Sequence, residues 1–125
     1  MAGSLGILLV SGSHERAHYA FVLAAGAAAL DRRVVLFATN DGCRALLDDW
    51  SSLTDSGRDA AVRARGVAGI GELRQSAADL GVRMIACEAG LRMVALQDEK
   101  MAPKVEIAGI ATFLEAAGDG QIVSL

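Results

Sequence analysis

The chain has 125 residues, of which 53% are hydrophobic and only 4% aromatic, and its formal net charge at pH 7 is −3. This length and composition favour one compact domain whose core needs no disulfide or metal, and they exclude an intrinsically disordered chain. A pI near 5.3 excludes nucleic acid as a partner, because a phosphate backbone is bound by clustered basic residues.

Hydropathy narrows the class of protein further. The longest apolar stretch covers residues 20–30, which is shorter than the roughly 20 residues of a membrane-spanning helix. The amino-terminal residues lack the basic and apolar regions of a secretory signal, so we expect a cytoplasmic protein whose Cys43 and Cys87 are thiols. The mean hydropathy of +0.37 is high for a small domain and favours self-association.

Strands and helices alternate along the sequence. The predicted elements, in chain order, are a strand at 5–10, a helix at 15–30, a strand at 34–38, helical residues at 43–48, a helix at 70–80, a strand at 82–87, a helix at 88–96, a strand at 105–108, a helix at 110–117 and a strand at 121–125. This alternation predicts a single α/β domain over residues 1–125, with a mostly parallel sheet covered by helices on both faces. The strand order does not follow from the sequence.

Two details of this interpretation concern the connections. Gly81 follows the helix at 70–80, in the place of a left-handed helix cap. Residues 51–71 have irregular apolar spacing and are interpreted as a helical excursion or a loop, with these residues as candidates to pack inward: Leu53, Ala60, Ala61, Val62 and Val67.

Cys87 is the strongest candidate for a reactive residue. It ends a predicted strand and precedes a predicted helix, and the unpaired N–H groups at a helix amino terminus favour a thiolate. The adjacent Glu88 opposes this effect unless it points to solvent or pairs with Arg92, four residues further on. The structural alternative is that Cys87 is a small buried apolar residue.

Cys43 occupies a similar position behind the second predicted strand. The two cysteines are expected at the same edge of the sheet, but they are 44 positions apart and do not form a CxxC motif. A structural role is favoured for Cys43 over a role as a resolving thiol.

His14 and His18 are four residues apart at the start of the first helix. This spacing places both on one helical face, where one of them is a candidate to move a proton for a nearby thiol. A metal site is disfavoured because no third ligand is specified, so no metal is predicted.

The carboxyl ends of parallel strands collect ligands, so the loops after the first three predicted strands supply the candidate binding residues. These candidates are Ser11, Gly12, Asn40, Gly42, Cys43 and Glu88. The loops contain no GxGxxG, GxxxxGK[ST] or GxSxG motif, so neither a nucleotide cofactor nor a serine hydrolase is indicated.

Four segments of the sequence carry a family resemblance: LGILLVSGSHERAHYAFVLAAGAAAL, VVLFATNDG, VRMIACEAGL and VEIAGIATFLEAAGDGQIVSL. The layout resembles the DsrE/DsrF-like family of small sulfur-handling α/β proteins, above all in the cysteine that closes the central strand and in the final helix and strand. The resemblance implies a three-layer α/β/α sandwich with five strands, assembled as trimers or hexamers. It also implies sulfur-carrier or sulfurtransferase activity, in which Cys87 holds sulfur as a persulfide and exchanges it with sulfur donor and acceptor proteins.

Two hypotheses of function follow. In the first, Cys87 is a sulfur carrier, and His14 or His18 manages the proton. In the second, the protein is a non-catalytic oligomeric module that binds a small ligand or a partner, and Cys87 only packs. The reactivity of Cys87 in the folded protein distinguishes the two.

Overall fold

The computed structural model describes residues 3–125; Met1 and Ala2 of the predicted domain lie outside this range. Residues 3–125 form five strands: β1 (Leu5–Leu9), β2 (Val34–Ala38), β3 (Arg83–Cys87), β4 (Glu106–Ala108) and β5 (Gln121–Ser124). Five α-helices accompany them: α1 (His14–Ala29), α2 (Arg58–Ala64), α3 (Ile70–Asp79), α4 (Glu88–Met93) and α5 (Ile110–Ala117). No helix of residues 3–125 has both the length and the hydropathy to cross a bilayer.

All four strand pairings are parallel, in the spatial order β4-β3-β2-β1-β5. The predicted parallel α/β sheet is therefore confirmed. All five side chains of β2, which lies at the centre of the sheet, are buried, as expected for a parallel strand that is covered on both faces.

Alternate residues of β2 point into two separate core clusters. On one face, Leu36 and Ala38 pack in a cluster that includes residues of α1 and α3. The close approach of α1 is allowed by buried small side chains at helical spacing, which are Ala17, Ala20, Ala24 and Ala28.

On the other face, Val35 and Phe37 pack against α5. The Phe37 and Phe113 rings are stacked with centroids 5.1 Å apart, and a Cβ at Gly6 would lie 3.0 Å from Phe113. Helices on both faces confirm the predicted three-layer α/β/α sandwich, but the second helical layer is formed by the eight residues of α5.

The connection between β2 and α3 differs from its prediction. Residues Asn40–Leu46 form a 3₁₀ helix, which begins earlier and is tighter than the helical segment predicted at 43–48. A short helix, α2, lies within the predicted excursion. The expected inward packing is wrong for Ala60, Ala61 and Val67, which are exposed, whereas Leu53 is buried. The buried side chain of α2 is instead Asp59, because polar rather than apolar contacts hold this helix.

Two helix ends were predictable to different degrees. Gly81 has φ +88° and its N–H donates to the Ala78 carbonyl, which confirms the predicted cap after α3. Helix α4 ends at Met93, three residues before its predicted end, and Ala95 adopts φ +58°.

Arg74 connects α3 to the end of the 3₁₀ helix by hydrogen bonds. Its guanidinium donates to the carbonyl oxygens of Ala45 at 3.0 Å, Leu47 at 2.6 Å and Asp48 at 3.3 Å. These carbonyls lie at and just beyond the end of the 3₁₀ helix, where backbone acceptors lack partners within the helix.

We expect Arg74→Met to destabilise the fold by roughly 1–3 kcal/mol, because it leaves partly buried carbonyls without donors. Urea unfolding at neutral pH measures this change. The exposed Arg16 of α1 supplies the matched control Arg16→Met, which should change stability by less than about 0.5 kcal/mol. Equal effects of the two substitutions would contradict the role of Arg74.

Candidate functional site

Cys87 is both the last residue of β3 and the N-cap of α4. Its Sγ accepts a hydrogen bond from the Gly90 N–H at 3.3 Å. An N–H that donates to sulfur stabilises negative charge on that sulfur. The structure thus places this sulfur against the Gly90 N–H in the first turn of α4, at the carboxyl edge of the sheet.

The surroundings of Cys87 on its other side are apolar. It belongs to the cluster that contains Phe37, Ile85 and Phe113, and in the sheet it is paired with Ala108 of β4. Only 8% of the residue is exposed. The sulfur therefore lies in an apolar setting just below the surface.

Glu88 points away from the sulfur site. It is exposed, and its carboxylate lies 3.7 Å from the Arg92 guanidinium, one helical turn further on. The Glu88 charge opposes a Cys87 thiolate unless Glu88 points to solvent or pairs with Arg92. The structure shows both arrangements. Glu88 is placed in solvent rather than with the other predicted binding residues.

Gly90 allows α4 to lie directly on the loop after β2. A Cβ at this position would collide with Thr39 Oγ1 and would lie 2.6 Å from the Asn40 backbone nitrogen. Asn40 itself adopts φ +52°, a left-handed conformation that asparagine tolerates better than most residues. The loop after β2 and the helix that presents Cys87 are consequently packed as one unit.

Cys43 lies close to Cys87 but is inaccessible. It is fully buried, and its Sγ donates to the Ala38 carbonyl at 3.5 Å. Burial raises the pKa of Cys43 to about 11; the Cys87 backbone N–H lowers this pKa, and the Cys87 thiol and Asp41 raise it. Both cysteines are free thiols, and at neutral pH Cys43 is a protonated core residue.

Ser11 and Gly12 line an open groove of about 570 Å³ at the carboxyl ends of β1 and β2. The other lining residues are Ser13, Asp41, Arg44, Ser52 and Thr54. Asp41 and Arg44 form an exposed ion pair at 3.1 Å. This groove is polar, and its lining does not include Cys87.

The predicted binding residues Gly42 and Asn40 are not part of the lining of this groove. Gly42 is buried, and its N–H donates to the carbonyls of Val10 and Thr39. Asn40 is half-buried next to α4. The structure therefore groups Asn40 with the Cys87 helix, whereas Ser11 and Gly12 belong to the groove.

His14 and His18 form a separate buried network. His14 Nε2 donates to Asp59 Oδ1 at 2.8 Å, and its Nδ1 accepts from Arg58 Nη1 at 3.3 Å. His18 Nε2 donates to the Ala68 carbonyl at 2.8 Å, and the two imidazole rings stack with centroids 5.6 Å apart. Among residues 3–125, these hydrogen bonds connect α1 to α2 and to Ala68, just before α3, rather than to Cys87.

Asp59 is the member of this network that sequence reasoning missed. Its Oδ1 also accepts from the Ile70 N–H at 2.8 Å, so one oxygen joins α1, α2 and the start of α3. Burial raises the pKa of Asp59, but the hydrogen bonds from His14 and Ile70 and the charges of His14 and His18 outweigh it, so the net pKa is lowered. The available signal was the histidine pair itself, since buried imidazoles require polar partners.

The described part of the chain holds no group of three or more His, Cys, Asp or Glu side chains arranged to bind a metal ion.

We expect Gly90→Ala to destabilise the protein by roughly 1–3 kcal/mol, because the added methyl group overpacks the contact with Thr39 and Asn40. Chemical denaturation measures the loss of stability. Gly26 of α1 provides the matched control, because a Cβ there meets no atom within 4 Å. Gly26→Ala should stabilise by about 0.5–1 kcal/mol, since alanine is the better helix former; similar losses in both variants would refute the close approach of α4.

Asp59 gives a prediction about acid stability. Because its pKa is lowered in the folded state, its stabilising contribution is fully present above an unfolded pKa of about 3.9 and is lost as the pH falls through the folded value. Asp59→Asn should lower the free energy of unfolding by roughly 1–3 kcal/mol at pH 7. The stability of this variant should also change less than that of wild type as the pH falls into the acid range. Thermal unfolding from neutral to strongly acidic pH tests this, and parallel pH profiles for wild type and variant would contradict it.

Comparison with known proteins places this geometry in a family. The model of the DsrE/DsrF/DrsH-like family matches residues 49–124. The uncharacterized protein YrkE of Bacillus subtilis is 25% identical, with 93% of this chain and 92% of YrkE covered. The sulfur carrier protein DsrE2 of Allochromatium vinosum is 27% identical, with 94% of each chain covered.

Solved structures show the same fold at lower identity. The YchN protein from E. coli aligns with a TM-score of 0.73 at 13% identity, and MTH1491, a protein of unknown function from Methanobacterium thermoautotrophicum, aligns with a TM-score of 0.58 at 14% identity. Both alignments cover all of both chains. The family resemblance of the sequence is confirmed, and with more than half of its residues matched the chain belongs to the DsrE/DsrF/DrsH-like family.

Proposed function

We propose that this protein is a sulfur carrier that holds sulfane sulfur as a persulfide on Cys87 and passes it to a thiol of a partner protein. The observation that carries the proposal is the position of the Cys87 sulfur, which accepts the Gly90 N–H at the start of α4. The similarity to the sulfur carrier protein DsrE2 supports the same chemistry.

The proposed cycle consists of two thiol exchange steps. In the first, the Cys87 thiolate attacks the outer sulfur of a donor persulfide; a new S–S bond forms at Cys87, and the donor leaves as a thiolate. In the second, the acceptor thiolate attacks the outer sulfur of the Cys87 persulfide, and Cys87 is regenerated as a thiolate. The two steps consume no oxidant, and their sum is a sulfurtransferase reaction.

Cys87 is suited to this chemistry, and Cys43 is not. A pKa of about 11 leaves Cys43 almost wholly protonated at neutral pH, and the thiolate is the form that attacks sulfur. Cys43 is also fully buried, whereas 8% of Cys87 is exposed. The proposed role of Cys43 is therefore structural.

The proton role predicted for His14 or His18 stays a prediction. The hydrogen bonds of His14 reach Asp59 and Arg58, and that of His18 reaches the Ala68 carbonyl. The proposed cycle uses neither imidazole, because each step begins from a thiolate and releases one.

The proposal also covers the oligomeric state of the protein and its cellular compartment. The sheet face covered only by α5 leaves apolar side chains exposed, including Ile110 and Leu114 at 51% each and Ile122 at 45%. Such a surface favours self-association, and a trimer or hexamer is proposed. A carrier that cycles through a free thiolate fits the reducing cytoplasm, where donor and acceptor proteins would meet it.

One observation favours the second hypothesis, a non-catalytic binding module. Cys87 is largely buried in an apolar cluster. A cysteine that caps α4 and packs in this cluster has a structural role whether or not its thiol is reactive. Under this hypothesis the polar groove lined by Ser11 and Gly12 is the functional surface.

Sulfur loading separates the two hypotheses. Wild type, Cys87→Ser and Cys43→Ser are incubated with a low-molecular-weight persulfide, and intact masses are recorded before and after reduction. We expect wild type and Cys43→Ser to gain sulfur that a reductant removes, and Cys87→Ser to gain none. If wild type gains no sulfur, or if Cys87→Ser gains as much, the carrier function is refuted.

The alkylation rates of the two cysteines, measured in the folded protein at neutral pH, provide a matched comparison. Cys87 in the Cys43→Ser variant should react while the protein is folded, because 8% of the residue is exposed and its sulfur accepts a backbone N–H. Cys43 in the Cys87→Ser variant should react only on unfolding, because its thiol is buried and its pKa is raised to about 11.

A further inference from the structure

Helix α1 is apolar on its outer side as well as on the side that packs in the core. From Ala17 to Leu30 the sequence contains no Asp, Glu, Lys or Arg. A helix that is apolar all round is typical of a buried position. Within residues 3–125, however, the outer side of α1 remains exposed, with Tyr19 at 55% and Leu30 at 78%. This side of the helix therefore lacks the cover that its composition predicts.

Four residues form a line along this outer side, which we name the α1 stripe: Tyr19, Leu23, Gly26 and Leu30. Their intervals of four, three and four residues place them on one helical face. That face lies opposite the buried alanines of α1. Gly26 is exposed and Leu23 is half-buried, so the stripe is a continuous apolar surface.

Gly26 has no packing function within its own chain. A glycine inside a helix costs roughly 0.5–1 kcal/mol relative to alanine. Gly90 and Gly6 are explained by the atoms that lie against them, but a Cβ at Gly26 would meet nothing within 4 Å. Gly26 therefore leaves a depression in the middle of the α1 stripe that is open to a side chain from another molecule.

We propose that the α1 stripe docks against the α1 stripe of a second copy of this chain. The two helices are antiparallel, and the two-fold axis passes between Leu23 and Gly26. Helices α1 and α5 pack on opposite faces of the sheet, so this contact is separate from the exposed apolar surface around α5. The proposal does not depend on the sulfur chemistry of Cys87.

The spacing of the stripe makes it complementary to itself. Intervals of four, three and four read the same in both directions, as a two-fold contact requires. In the antiparallel pair, Leu23 faces the partner's Gly26 and Tyr19 faces the partner's Leu30. The leucine side chain fills the depression, and a residue no larger than alanine at position 26 lets the helix axes approach to about 8–10 Å.

Charges at the two ends of α1 favour the antiparallel direction. Glu15 and Arg16 are exposed at the start of the helix, and Asp31 and Arg33 are exposed just after its end. Arg16, Asp31 and Arg33 form no ion pair among residues 3–125. An antiparallel pair brings opposite charges together at both ends and aligns the helix dipoles favourably. A parallel pair would set each charge beside its own copy.

The size of the contact predicts a reversible association. Helix α1 has 16 residues and is therefore about 24 Å long. Two such helices in contact bury on the order of 1,000 Å² in total, which is near the lower limit for a specific interface. We expect a dissociation constant in about the micromolar range. If trimers form through the surface around α5, the α1 contact joins two trimers into a hexamer.

Sedimentation velocity of wild type and Gly26→Gln tests the contact at protein concentrations up to about 100 μM, well above a micromolar dissociation constant. Glutamine at position 26 enters open space in the folded chain and favours the helix, so the stability of the chain should not fall. Its side chain occupies the place of the partner's Leu23. Wild type should contain an even number of chains, and Gly26→Gln should have half that mass.

Ala61→Gln, on the exposed side of α2, is the matched control for the glutamine substitution. It adds a side chain of the same size and charge to a helix surface outside the α1 stripe. Its mass in solution should equal that of wild type.

Cross-linking with a short bismaleimide tests the geometry independently, in a Cys87→Ser background. Gly26→Cys should link to its own copy, because the two positions are offset by only about 4–5 Å along the helix. Tyr19→Cys should not link to its own copy, from which it is offset by about 16 Å. Tyr19→Cys should link to Leu30→Cys when the two variants are mixed.

Three results would overturn the proposal. The first is a wild-type mass that corresponds to a monomer or to an odd number of chains at the highest concentration. The second is a Gly26→Gln mass equal to that of wild type. The third is self-linking of Tyr19→Cys that is as efficient as that of Gly26→Cys, which would show a parallel or non-specific contact.

Discussion

The complete burial of β2 is the constraint on which the rest of the fold depends. A strand whose five side chains are all buried must have helices on both faces, and it must have a hydrogen-bonded neighbour along each edge. The parallel pairing of β2 with β1 and β3 brings the carboxyl ends of all three strands to one edge of the sheet. The loops after these strands, which hold Cys87 and the candidate residues for ligand binding, therefore lie along one edge, whereas His14 and His18 lie on α1.

The site at Cys87 follows from this edge by close packing. Helix α4 starts immediately at the end of β3, and Gly90 lets its first turn settle on Thr39 and Asn40 at the end of β2. The same glycine donates its N–H to the sulfur. The residue that allows the approach thus also supplies the hydrogen bond, so the geometry of the sulfur and the packing of the sheet edge are coupled.

Three of the polar sites within residues 3–125 differ in their properties. The groove beside Ser11 and Gly12 is open and polar, and the Cys87 site is apolar except for its backbone donor. The network of His14, His18 and Asp59 is buried, and the hydrogen bond between His14 and Asp59 connects α1 to α2, whose buried side chain is Asp59. The hydrogen bonds of His14 and His18 reach Asp59, Arg58 and the Ala68 carbonyl rather than Cys87, so the proposed sulfur chemistry involves only the thiol and its helix.

The sequence by itself determined the parallel α/β class, the five strands, the cap at Gly81 and the position of Cys87 between a strand and a helix, because these depend on local patterns of apolar residues and glycine. The tertiary structure alone decided the strand order, the inward position of Asp59, the single helix on the second face and the burial of Cys43. These features depend on contacts between residues distant in sequence, such as Asp59 with His14 or Cys43 with the Cys87 backbone. A local pattern of residues indicates which side chains are buried. The packing of the whole chain determines which groups those side chains contact.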